Sequence, residues 1–275
     1  MKKRSIILTI LFIALSAAAA GQTRLTDLYK KGRIVLGADE DWTGNLPSER
    51  VFETRGDLVV GPDGSVFVSN TTGHMVYKFD KNGKFVRTIG RHGQGPGDLN
   101  FPGRLSVLDG KYLVVGGYAT DQKIALFDLD GTFVKSIATG RFTSKPVALK
   151  NGKIAYGSTR GRMQGDEMIN SEEIFIRDAW SGAEKSVVRY EIRNPMTKLP
   201  GGGIVMAAQG AVALAPTRDG GLITGTTQNA ILDVFSGDGT RIRTIDLGWK
   251  ASPVTSEYRE KYKAILRREA KAAGR

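Results

Sequence analysis

The chain repeats itself. Residues 57–90 read DLVVGPDGSVFVSNTTGHMVYKFDKNGKFVRTIG, and residues 103–137 read GRLSVLDGKYLVVGGYATDQKIALFDLDGTFVKSI. The two segments align almost without gaps: Asp63-Gly64 on Asp109-Gly110, Phe79-Asp80 on Phe127-Asp128, and Lys84-Phe85-Val86 on Thr132-Phe133-Val134. A weaker third copy runs through KPVALKNGKIAYGS (145–158) and EEIFIRDAWSGAEKSVVRY (172–190), and a fourth covers residues 211–247. Glycines of the first hairpin, Gly64, Gly110, Gly152 and Gly220, are spaced by 46, 42 and 68 residues. A unit that recurs with this period cannot bury its apolar faces alone, so copies must stack on one another.

Within each copy the pattern has period two, as in Val66 and Val68 against Phe67. Asp-Gly and Asn-Gly mark tight hairpins between the first and second strands and again between the third and fourth. Those turns need positive φ, which explains much of the glycine excess, 35 in 275 residues against the usual ~7 per cent. The expected fold is all-β: a β-propeller of four-stranded antiparallel blades, four of them recognisable.

The repeats resemble NHL-type repeats, in particular those of bacterial secreted six-bladed propellers. The resemblance rests on the Phe-Asp-x-x-Gly turn and on the connector Gly93, Gly95, Gly97, Asp98 and Pro102. It covers roughly residues 51–247, strongly in the first two copies and weakly in the others. It implies a ring of six blades, whereas four copies fill residues 57–247. The expectations that follow are a chain that stops before its ring closes, a smaller ring of four or five blades, or closure through a second chain.

Domain boundaries come from the ends. Lys2, Lys3 and Arg4 precede the apolar run Ser5–Ser16, and Ala18 and Ala20 fit a small-residue cleavage site. The run to Ala20 is shorter than the ~20 residues of a spanning helix. Residues 1–20 therefore read as a signal peptide, which predicts a periplasmic or secreted protein without stable membrane insertion. Blades occupy 21–252. Residues 253–275 lose the alternation and read as an amphipathic helix: Thr255 is the expected N-cap, and Tyr258, Tyr262, Ile265 and Leu266 share one face. The resemblance makes this helix an inter-blade insertion.

The absence of cysteine excludes disulfides, thiolate metal sites and thiol catalysis. The formal charge is +12. In an exported chain this reads first as a solvated face and next as attraction to an anionic surface or ligand, rather than as nucleic-acid binding. No Gly-x-Ser-x-Gly or His-Glu-x-x-His motif occurs. The Gly93-x-Gly95-x-Gly97 spacing lacks the helix a phosphate loop needs and reads as a flexible connector.

First-to-second and third-to-fourth strand turns share one face of a propeller; second-to-third loops and blade connectors share the other. On the latter face the third blade carries an insertion, Ser158 to Ser171, and a long connector, 191–210. Long loops on a rigid scaffold are where binding residues collect. The candidate rim is Arg91, His92, Arg160, Arg162, Asp166 and Glu167, with no catalytic or metal set among them. The two histidines, His74 and His92, have no second ligand motif. No cofactor is expected; Ca²⁺, which takes six to eight oxygens, is the ion that Asp166 and Glu167 would suit. The expected function is non-enzymatic binding or scaffolding of a protein, peptide or glycan. The alternative is a metal-dependent hydrolase or lyase, which the resemblance to lactonase-like and streptogramin-lyase-like propellers implies.

Overall fold

In the computed structural model, strands form wherever the alternation and the hairpin glycines predict them, grouped in four sheets. The structure describes residues 44, 46–48, 55–117, 122–165, 167–198, 204–206 and 210–248, with parts of a helix within 255–268. Two compact units separate, Met1–Thr43 and Gly44–Arg275. The signal peptide and all else in the first unit lie outside the described residues.

The first blade is β1 (Arg55–Val60), β2 (Val66–Asn70), β3 (Met75–Phe79) and β4 (Phe85–Ile89), and the second is β5 (Pro102–Leu108), β6 (Tyr112–Gly117), β7 (Lys123–Asp128) and β8 (Phe133–Ala138). The third has five strands: β9 (Ser144–Ala148), β10 (Lys153–Gln164), β11 (Glu167–Asp178), β12 (Glu184–Lys198) and β13 (Ile204–Met206). The fourth is β14 (Val212–Pro216), β15 (Leu222–Thr226), β16 (Ile231–Phe235) and β17 (Arg241–Asp246). Strands follow chain order across each sheet and pair antiparallel throughout. Contacts between β1 and β5, β5 and β9, and β9 and β14 make these first strands the inner ones.

The Phe-Asp-x-x-Gly turn closes the outer hairpins. Gly83 N donates to Asp80 O (3.0 Å) and Gly131 N to Asp128 O (3.0 Å). The aspartate side chains cap the same turns, Asp80 Oδ1 accepting from Lys84 N (2.9 Å) and Asp128 Oδ1 from Thr132 N (2.7 Å). Gly83 and Gly131 have φ of 80° and 90°, values that disfavour a side chain.

Core residues lie between blades. Leu113, Val115 and Phe127 meet Phe67, Val76 and Ile89 of the first blade. Val114 and Leu126 of the second blade meet Ile154 and Tyr156 of the third. Ala155 and Ile174 of the third meet Val212 and Phe235 of the fourth. Successive residues of one strand thus serve opposite interfaces, as the pleat requires. Polar ties cross the same gaps: Leu105 N donates to Asp57 Oδ2 (3.1 Å) and Gly152 N to Asp109 Oδ2 (2.7 Å).

Two expectations need correction. The insertion Ser158–Ser171, read as a loop, is a β-hairpin: β10 and β11 pair without a break from Lys153↔Asp178 to Gln164↔Glu167. The turn is set by Gly165, whose φ of 58° suits a two-residue hairpin. The connector 191–210 likewise begins as strand, because β12 follows β11 outward and then pairs with β13. The C-terminal helix is present, with Glu260 and Lys263 joined at 2.8 Å. Its Ile265 is exposed, and Tyr258, Tyr262 and Leu266 lie outside the described residues.

Candidate functional site

A polar cavity lies at the root of the third-blade hairpin. Tyr156 and Phe175 are direct cross-strand partners, and their rings stack with centroids 5.5 Å apart. Arg141, on the connector between the second and third blades, lays its guanidinium over Phe175 (Cζ 4.2 Å from the centroid). Arg141 Nη1 also donates to Glu184 Oε1 (2.6 Å) and to the Tyr156 hydroxyl (3.3 Å). Glu184 Oε2 accepts from Tyr156 and from Arg177 Nη1 (3.1 Å). Burial pushes the Glu184 carboxyl up, but hydrogen bonds from Tyr156, Arg141 and Arg177 outweigh it and leave the group below its usual value. Burial, reinforced by Glu184, holds the Tyr156 phenol above its usual value.

Beyond this network Ser158, Arg160 and Arg162 alternate along one face of β10, opposite Glu173, Ser171 and Ile169 of β11. Arg189 of β12 stands opposite Glu173 and donates to its Oε2 (2.7 Å), while Ser186 Oγ donates to its Oε1 (2.6 Å). These two donors hold Glu173 below its usual carboxylate value. Arg141, Ser158, Arg160, Ser171, Glu173, Phe175 and Arg189 together line a cavity of about 270 Å³.

The candidate rim residues fall into two groups on different blades. Arg160 belongs to the cavity. Arg162 Nη1 donates to Gln164 Oε1 (2.7 Å) and Nη2 lies 3.8 Å from Glu191. Glu167 receives Arg193 Nη1 at 3.1 Å, and Asp166 lies outside the described residues. Arg91 and His92 sit on the connector between the first and second blades. Arg91 Nε donates to Asp98 Oδ1 (2.9 Å), and Asp98 Oδ2 accepts from Gly95 N (2.9 Å). A Cβ on Gly93 would stand 2.2 Å from that carboxylate, so the glycine-rich connector is wrapped around Asp98 rather than loose. The His92 ring packs on His74 (centroids 4.1 Å), and His74 Nδ1 accepts from Phe101 N (3.2 Å).

Sequence reading missed Arg141, Ser158, Ser171, Glu173 and Arg189. Counting outward from a two-residue turn at Gly165-Asp166 would have placed Ser171 opposite Arg160. No local pattern marks Arg141 or Arg189. Among the described residues no three His, Cys, Asp or Glu side chains gather as a metal site would need.

Four stacked antiparallel sheets, inner strands in sequence, define a β-propeller. The family described as DUF5128, 6-bladed beta-propeller, matches residues 55–199, from β1 to the end of β12, and the chain belongs to that family. A solved structure from Bacteroides fragilis NCTC 9343, named "Putative exported protein", superimposes with a TM-score of 0.52 at 15% identity, over 72% of this chain and 52% of that one. A virginiamycin B lyase from Staphylococcus aureus gives 0.43 at 13% identity, over 71% and 56%. A member of the duf4221 family from Bacteroides vulgatus gives 0.43 at 14%, over 77% and 62%. The chain spans about half the length of such structures, and at these identities the likeness concerns the fold alone. No curated protein matches the chain.

Proposed function

We propose that this protein is an exported, non-enzymatic binding propeller that engages an acidic protein, peptide or glycan through its long-loop face. The observation that carries the reading is the third-blade hairpin. Its twelve-residue ladder projects exposed Arg160 and Arg162 from a blade whose base is fully packed. A paired hairpin loses less freedom on binding than a loose loop of the same length. Export is proposed on the leader read from residues 1–20, and the Bacteroides fragilis neighbour carries a name of the same kind. The NHL-type assignment belongs to the same reading, supported by the Asp-capped turn repeated at Asp80 and Asp128.

Replacing residues 160–171 by Asn-Gly joins Thr159 to Glu172, which are register partners, and removes the arm while keeping the blade. The wild type is expected to bind immobilised polygalacturonate or polyglutamate in a salt-sensitive way, and the shortened protein to stay folded and lose that binding. Equal retention of both proteins would overturn the reading.

A further inference from the structure

The cavity at the root of the arm has an unbalanced set of partners. Two of its guanidiniums are occupied, Arg141 by Glu184 (2.6 Å) and Arg189 by Glu173 (2.7 Å). Among the described residues no ion pair or hydrogen bond engages Arg160, and none engages the hydroxyls of Ser158 and Ser171. These three groups are neighbours by construction: Arg160 stands directly opposite Ser171, and Ser158 is two residues back on the same face. Ser158 is only 7% exposed, so its hydroxyl opens to the cavity rather than to bulk solvent. A ligand acceptor placed there takes over from the solvent that hydrates it.

We propose that this cavity binds a single hydroxylated monocarboxylate, an acidic monosaccharide unit free or at a chain end, with Arg160 as the residue that takes the carboxylate. The inference rests on the binding-face reading above and specifies its ligand. Arg160 presents a planar fork of donors that matches a carboxylate. Ser158 and Ser171 donate beside it. Glu173, ionised and lowered by Ser186 and Arg189, forms part of the wall. Its remaining lone pairs accept from ligand hydroxyls, and its charge disfavours a dianion such as phosphate. The volume of about 270 Å³ lies just below the ~300–1,000 Å³ of sites for drug-sized ligands, which suits one sugar ring and excludes a longer segment. Phe175 is covered by Arg141 and Tyr156, so recognition here is polar rather than by ring stacking.

Calorimetric titration of the mature protein at constant ionic strength tests this with galacturonic acid, galactose, inorganic phosphate and N-acetylalanine. Galacturonic acid is expected to bind tightest. Arg160→Gln should weaken it about tenfold or more, as loss of a charge-assisted hydrogen bond does, and Ser158→Ala should weaken it several-fold. Thermal unfolding checks that each variant is folded, and Ser171→Val replaces any that is not. Galactose binding as well as galacturonic acid, tighter binding of phosphate or N-acetylalanine, or an unchanged Arg160→Gln would each overturn the assignment. If the wild type holds polygalacturonate through the arm while the monosaccharide fails, the pocket assignment falls and the binding-face reading stands. If neither binds, both fall.

Discussion

The second and third blades begin alike and end differently. In β6 the consecutive residues Leu113, Val114 and Val115 are all buried, because each face of the sheet packs on another blade. In β10, Ile154 to Ser158 are buried in the same way, and then Thr159 to Gln164 are all exposed. One strand is blade core for its first half and solvent-facing arm for its second. What changes at Ser158 is the neighbour. The second blade's strands are six or seven residues long, so beyond that height β10 has no second-blade sheet beside it. The arm is held by its own ladder, by cross-strand ion pairs, Arg189–Glu173 and Arg193–Glu167, and on its β12 side by the fourth blade, where Ile192 joins the cluster of Val212 and Phe235 and Gln228 Nε2 donates to Arg193 O (2.7 Å). Exposed pairs of this kind contribute ~0–1 kcal/mol each. On β10, therefore, stability and recognition are carried by different halves of one strand.

The sharpest way to break that division is Phe127. It is 2% exposed and lies in the cluster between the first and second blades. Phe127→Ala is expected to cost about 3–5 kcal/mol in urea unfolding, the loss typical of a fully buried phenylalanine. Phe79, its equivalent on β3 and fully buried, should behave alike. A loss under ~1 kcal/mol would mean that the inter-blade cluster is not where the stability resides.

Glu184 tests the boundary between the halves, because it ties Tyr156 in the core to Arg141 on the connector. Glu184→Gln should destabilise by roughly 1–3 kcal/mol at neutral pH, the range for hydrogen bonds to a charged group. Its folded value is lowered from 4.5, so the unfolded state binds the proton more readily. Its stabilising contribution is then complete above the unfolded value and fades as pH falls from about 4.5 through the folded value. Unfolding midpoints measured across the acid limb should fall more steeply for the wild type than for the Gln variant. Parallel curves would show that the ion pairs at the root of the arm contribute nothing measurable.

The blade body was legible because its physics is local and repeated. Asp80 and Asp128 cap identical turns, and Phe79 and Phe127 follow from the same alignment to the same buried position. The arm was not legible as strand. Alternation of apolar and polar residues records one buried face, and along Thr159–Gln164 neither face is buried, so the pairing left no hydrophobic trace. Only Gly165 marked it, as the first residue of a Gly-Asp turn. On the third strand even that count fails, because a bulge between Ile174 and Phe175 shifts β12 by one residue and turns Arg189 toward Glu173. Arg160 was readable as a rim cation. Its company was not: Arg141 comes from a blade connector, and only the stacking of the second blade on the third brings it over Phe175.

The smallest expected effect on stability is also the one that separates the halves most cleanly. Arg160 and Arg162 are both exposed on the arm; Arg162 has only a long contact to Glu191 (3.8 Å) and a local bond to Gln164. Neither side chain supports the inter-blade clusters. Arg160→Ser with Arg162→Ser should therefore shift stability by under ~0.5 kcal/mol, the usual range for surface changes away from such features. The same pair should weaken salt-sensitive binding to polygalacturonate, since it removes two positive charges from the arm. Urea unfolding and retention on the immobilised polymer, measured on one preparation, read both halves at once. A loss of more than ~1 kcal/mol would mean that the arm braces the blade, and the division drawn between β10's two halves would have to be abandoned.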